Sequence, residues 1–167
     1  QAVAEVLSRI PLSFKNDFLS GIRTPQILSQ LSQKCKSSSD SELCNNVYSY
    51  IINNSSNIDS ESVFISELFF AQNQLTNNGT TSELIMLIDK YNNLNYQQDI
   101  YQSIIHHYQV EGKTVDEAKI YKEFSDKFNT DPNTLNGYAW RMTELQLNLE
   151  DALLKSTSAI ELTADNP

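Results

Sequence analysis

The chain has 167 residues, a net charge of −9 and a pI near 4.6. Its 12 Lys and Arg are scattered among 21 Asp and Glu, so nucleic acid and anionic membranes are poor partners for it. Only four Gly and four Pro occur, which favours an all-α fold over a barrel or sandwich, and no apolar run approaches the roughly 18 residues that membrane insertion requires.

The first predicted segment covers residues 1–23. Val3, Val6 and Ile10 share one helical face, and Pro11 interrupts it. We expect one or two helices here, acting as an N-terminal cap of the helical stack or as the remnant of a preceding domain.

Five further helix starts are marked by local sequence signals. Three are Ser or Thr followed three residues later by Glu, a pattern that satisfies backbone donors at a helix start from both sides. Two are a capping residue followed by proline, whose missing N–H costs nothing at the first helical position. They are Ser39 with Glu42, Thr80 with Glu83, Thr114 with Glu117, Thr24 with Pro25, and Asp131 with Pro132.

Residues 24–98 carry apolar residues at helical spacing between short polar connections, which predicts divergent helical hairpins. The two cysteines lie in this region, Cys35 at the end of one predicted helix and Cys44 at the start of the next. We expect a structural disulfide between them, as in an extracytoplasmic protein; a redox switch and two unpaired buried thiols are the alternatives.

Residues 99–167 repeat with an offset of 34 and no gap. Large and small positions recur together, as for Ile104 with Tyr138, Tyr108 with Met142, and Ala118 with Ala152. Small residues recur at Ala139, Ala152 and Ala159, which lets two helices approach closely. The pattern weakens towards the N-terminus.

This pattern, with Leu135, Tyr138, Ala139 and Met142 in one helix and Leu149, Ala152 and Ala159 in the next, resembles the tetratricopeptide repeat. The resemblance implies antiparallel hairpins stacked as a right-handed superhelix, an α-solenoid whose inner groove grips extended peptides. It places in that groove Gln72, Gln102, His106, Gln109, Asn136, Trp140 and Thr143. The chain departs from the family in lacking the usual proline at the end of the second helix and in a longer loop at 144–148.

No catalytic constellation is evident. His106 and His107 are adjacent on a helix and about 100° apart, so they cannot both face one site, and no His-Glu-x-x-His sequence is present. The paired carboxylates, such as Glu150 and Asp151, fit a dipole and capping role at helix starts. We therefore expect no metal, no cofactor and no enzymatic activity of this chain by itself.

These observations favour a non-catalytic scaffold that binds a protein or peptide. One alternative is a helical appendage of a larger enzyme, similar to the helical regions that accompany thioredoxin-like domains in some bacterial envelope proteins. Another is homo-oligomerisation through an uncapped C-terminal repeat. A periplasmic or secreted location is preferred over a cytoplasmic one, because it follows from the expected disulfide.

Overall fold

The computed structural model describes residues 25–35 and 41–164, which contain helices and turns and no strand. The all-α prediction is confirmed for these ranges. The predicted segment 1–23 and the capping positions Thr24 and Ser39 lie outside them. The helices are α1 Pro25–Cys35, α2 Ser41–Asn53, α3 Ser60–Asn78, α4 Ser82–Lys90, α5 Leu94–Val110, α6 Thr114–Lys127, α7 Pro132–Leu145 and α8 Leu149–Ala164, with a 3₁₀ turn at Ser55–Asn57.

The chain forms two compact units, Gln1–Tyr91 and Asn92–Pro167. Helices α1 to α4 belong to the first unit and α5 to α8 to the second. The division predicted at residue 98 falls within α5. No helix of the described ranges is long and apolar enough to cross a membrane.

The first unit is held by an apolar cluster of Leu28 and Leu31 from α1 with Val47 and Ile51 from α2. A buried pair of serines joins α1 to α3, with the Ser32 and Ser66 hydroxyl oxygens 3.1 Å apart. The Ser66 hydroxyl donates a hydrogen bond to the Ser62 carbonyl at 2.7 Å, so its single proton is already used. The Ser32 hydroxyl must therefore donate to Ser66. The pair is satisfied without water.

The core of the second unit contains the positions that define the repeat. Tyr138, Ala139 and Met142 of α7 pack with Ala118 of α6 and Ala152 of α8, and all five are buried. The alanines remove side-chain bulk between the helices, which allows α7 and α8 to pack closely. The small positions recognised in the sequence are therefore core positions.

The structure agrees with only some of the helix starts that the sequence predicted. Asp131 caps α7 as expected, and its carboxylate accepts bonds from the backbone N–H groups of Asn133 and Thr134, both at 3.2 Å. The capping box predicted at Thr114 is wrong, because Thr114 is the first residue of α6 and Glu117 turns inward to another partner. Before α4, Thr80 contacts the Glu83 carboxylate at 3.4 Å, while Thr81 stands at the cap without a side-chain capping bond.

The Asp131 cap is expected to stabilise α7. Asp131→Ala leaves two backbone donors without their acceptor and should lower the free energy of unfolding by about 1 kcal/mol. Asp131→Asn keeps an acceptor oxygen and should lose only a few tenths. Urea denaturation followed by circular dichroism measures both variants, and equal losses would show that charge rather than capping matters at this position.

The turn between α7 and α8 is short and conformationally unusual. It spans Gln146–Asn148, and both of these end residues are non-glycine residues with positive φ, at 54° and 49°. The Leu147 N–H donates to the Met142 carbonyl at 3.0 Å, so the last turn of α7 is closed by the residues that follow it. This geometry brings α8 back against α7 within three residues.

Candidate binding surfaces of the second unit

The residues predicted to line one groove are divided between two cavities. Gln102, His106 and Gln109 of α5 line the first, together with residues of α6 and the start of α7. Asn136, Trp140 and Thr143 of α7 line the second, together with α8. Gln72 is half-buried on α3 in the first unit and lines neither.

The first cavity, here called the amide cavity, has a volume of about 330 Å³. Its floor is apolar and aromatic, formed by Ile105, Tyr121 and Phe124, of which Ile105 and Phe124 are buried. Its rim is polar and carries carboxamides from two helices. The rim residues are Gln98, Gln102, His106 and Gln109 of α5, and Asp131, Asn133 and Thr134 at the start of α7.

The floor depends on a glycine. A Cβ at Gly137 would lie 2.7 Å from the Tyr121 hydroxyl oxygen, so any larger residue there would force this hydroxyl to move. Tyr121 also packs edge-on against Tyr138, with ring centroids 5.8 Å apart. Burial, followed by the nearby Glu117 carboxylate, raises the pKa of Tyr121.

Next to this cavity lies a buried ion pair. The Glu117 side chain is 1% exposed, and both of its oxygens accept from Arg141, at 2.6 Å from Nε and 3.0 Å from Nη2. Gln109 Nε2 donates to the same carboxylate at 2.9 Å. The bonds from Glu117 and then Glu144 raise the pKa of Arg141, so this guanidinium stays charged. One carboxylate therefore ties α5, α6 and α7 together.

The second cavity, here called the tryptophan cavity, has a volume of about 360 Å³. Buried Ala139 and Ala152 form its base, and Trp140 of α7 faces Leu149 and Leu153 of α8 across it. Trp140 is 70% exposed. Such exposure of a large aromatic ring beside exposed leucines indicates a contact surface rather than a core position.

Thr143 contributes less to recognition than its position suggests. Its hydroxyl donates to the Ala139 carbonyl one turn earlier, at 2.8 Å. The side chain can then only accept a bond from a ligand. Gln109 uses one of its two N–H donors on Glu117, so one donor and the carbonyl oxygen are left for a ligand.

The two cysteines lie close to each other in the first unit. Cys44 Sγ lies 3.8 Å from the carbonyl oxygen of Cys35, towards which its thiol donates. Burial raises the pKa of Tyr48, and the electrostatic effect of Cys35 and Cys44 raises it further. The disulfide between Cys35 and Cys44 stays a prediction.

The histidines have separate surroundings. His106 is exposed on the rim of the amide cavity, whereas His107 is half-buried against the Tyr108 ring with centroids 5.7 Å apart. In the ranges 25–35 and 41–164, no group of three or more His, Cys, Asp or Glu is placed to hold a metal ion.

Sequence reasoning missed the residues that build the amide cavity and its support: Tyr121, Phe124, Glu117 and Arg141. A signal for Glu117 was present, because the offset of 34 pairs it with Asp151. Both acids face inward and accept side-chain bonds from other helices, Glu117 from Arg141 and Asp151 from Tyr138 at 2.7 Å. Recurrence of an acid beside the repeated alanine could have identified both.

Comparison with protein-family models, curated proteins and solved structures found no match to this chain. The tetratricopeptide resemblance thus depends on the residues and spacing of this sequence alone.

Proposed function

We propose that the second unit is a pair of tetratricopeptide-like antiparallel hairpins that binds an extended polypeptide in the amide cavity. The observation that carries this proposal is the cavity's composition: an apolar, aromatic floor surrounded by carboxamides from two different helices. The 34-residue repeat of the sequence supports the same interpretation.

The chemistry of the rim suits a peptide backbone. A carboxamide offers both a donor and an acceptor, and an extended backbone presents N–H and C=O groups that need both. Gln102 and Asn133 are exposed and line the cavity from different helices, so they can bond different peptide groups of one ligand. The floor of Tyr121 and Phe124 then receives one apolar side chain of the ligand.

The size of the cavity limits what enters it. About 330 Å³ lies at the lower end of the range for small-molecule sites, about 300–1,000 Å³, and the amide cavity is open rather than enclosed by a lid. A single apolar side chain with its flanking backbone fits this volume. The proposal therefore names a linear segment of a protein partner and not a cofactor.

The test begins with panning of a random linear peptide library on the full chain. Recovered peptides should lose about tenfold or more in affinity for Gln102→Ala/Asn133→Ala, since each lost bond contributes about 0.5–1.5 kcal/mol. Isothermal titration calorimetry measures the affinity.

Lys119→Ala is the matched control, because Lys119 is exposed on α6 and does not line the cavity. It should bind the peptides as the unmodified chain does. Failure to recover any peptide, or equal affinity for the double variant, would overturn the proposal.

A further inference from the structure

Helix α8 carries an apolar face that belongs to neither the core nor the amide cavity. Leu149, Leu153 and Ile160 are exposed, with Ser156 between them. Their spacing of four, three and four residues places all of them on one side of the helix. We call these four residues the α8 face.

The α8 face continues across the tryptophan cavity to α7. Leu149, Leu153 and Ser156 line this cavity on one side, and Trp140 lines it on the other. Leu153 is 69% exposed, close to the 70% of Trp140. Large apolar side chains collected into one surface, with a cavity between them, mark a binding site more often than single exposed leucines do.

The corresponding part of α6 is used for packing. Lys122 and Asp126 stand 34 positions before Ser156 and Ile160. Lys122 pairs with Asp151 of α8 at 3.1 Å, and Asp126 pairs with Lys155 of α8. This side of α6 is therefore paired with α8, two helices further along the chain, whereas Ser156 and Ile160 on the same side of α8 have no later helix of the described residues to pair with.

The charges around the α8 face determine what kind of partner helix can bind to it. Residues 132–164 contain two cations, Arg141 and Lys155, and both are held in ion pairs within the unit. Glu150 and Glu161 are exposed beside the α8 face. With a net charge of −9, a second copy would bring acid against acid, whereas a cationic partner is attracted.

We propose that the α8 face binds an amphipathic helix of a partner protein whose apolar stripe is flanked by Lys and Arg. One apolar side chain of that helix enters the tryptophan cavity beside Trp140, and its basic residues lie near Glu150 and Glu161. This site is separate from the amide cavity, so the second unit presents two surfaces with different ligand chemistry.

The test uses a synthetic amphipathic helix of Leu and Lys, about 18 residues long or five turns, added to the full chain. Trp140 is the only tryptophan, so a blue shift of its emission reports its burial. We expect a saturable shift with the Leu/Lys peptide and none with a Leu/Glu peptide of the same pattern.

Adjacent leucines provide a matched pair of variants. Leu153→Gln removes an apolar contact of the α8 face and should weaken binding about tenfold or more. Leu154 is 67% exposed but about 100° away around the helix, so Leu154→Gln should weaken binding much less than Leu153→Gln does. Circular dichroism establishes that both variants are folded.

Three results would overturn the proposal: no shift with the Leu/Lys peptide, equal effects of the two leucine substitutions, or a dimer in sedimentation that Leu153→Gln dissociates without any peptide. The last result would assign the face to a second copy. Gln102→Ala/Asn133→Ala should leave binding of the Leu/Lys peptide unchanged, so failure of the amide-cavity proposal remains distinguishable from failure of this one.

Discussion

Arg141→Met is expected to lower the free energy of unfolding of the second unit by about 3–5 kcal/mol, because it leaves the Glu117 carboxylate buried without its cation. The Glu117 side chain is 1% exposed, and Arg141 supplies two of the hydrogen bonds to its carboxylate. Gln109 still donates one bond, but a neutral amide does not balance the charge. The penalty is the desolvation of an uncompensated ion.

Urea denaturation followed by circular dichroism at the helical band measures this loss. Glu144→Gln is the control. It removes the other partner of Arg141, at 3.0 Å, but Glu144 is about half exposed and pairs within one helix. We expect a loss of under about 0.5 kcal/mol.

The double variant Glu117→Leu/Arg141→Met separates charge from packing. Replacing both members of a buried ion pair with apolar residues is often neutral or stabilising. It should recover most of the stability that Arg141→Met loses. If Arg141→Met proves no worse than Glu144→Gln, the buried pair does not hold the three helices together.

Tyr138→Ala is expected to have an effect of similar size, a loss of about 3–5 kcal/mol, because it empties a fully buried aromatic position. Tyr138→Phe isolates the hydroxyl, which donates to Asp151 at 2.7 Å. Asp151 keeps Lys122 as a partner and is partly exposed, so this variant should lose only about 1 kcal/mol. Similar losses for the two variants would contradict the packing role.

The same tyrosine predicts a loss of stability in alkali. Burial first, and then the bond to Asp151, raise the pKa of Tyr138 above its ordinary value of 10.0. The hydroxyl's contribution is therefore complete below pH 10 and is lost as the pH rises through the higher pKa of the folded state. Urea midpoints measured from pH 8 upwards should fall less steeply above pH 10 for Tyr138→Phe than for the unmodified chain.

Short sequence motifs predicted the local structure most reliably. Asp131 before Pro132 predicted the α7 cap because both capping bonds reach only two or three residues along the chain. The same reasoning failed at Glu117, where a partner 24 residues away, Arg141, outcompetes the local capping pattern. Burial and a bidentate bond to a cation are not encoded in any short motif.

The groove residues illustrate a second limit. The tetratricopeptide resemblance placed Gln102 and Asn136 in one inner groove, and in the structure each of them lines a cavity. It did not show that the two belong to different cavities, since that depends on which neighbouring helix forms the opposite wall. Nor did it reveal the floor, because Tyr121 lies where it does only through Gly137 on another helix.

The packing of the second unit also has a consequence for how it folds. Its helices pack mainly on their neighbours in sequence, and the side-chain bonds described between helices join residues at most 29 positions apart. Such a unit has low contact order, and closing each loop costs little chain entropy. Assembly can begin at the α7–α8 turn and extend one helix at a time, in the microsecond-to-millisecond range of small helical proteins.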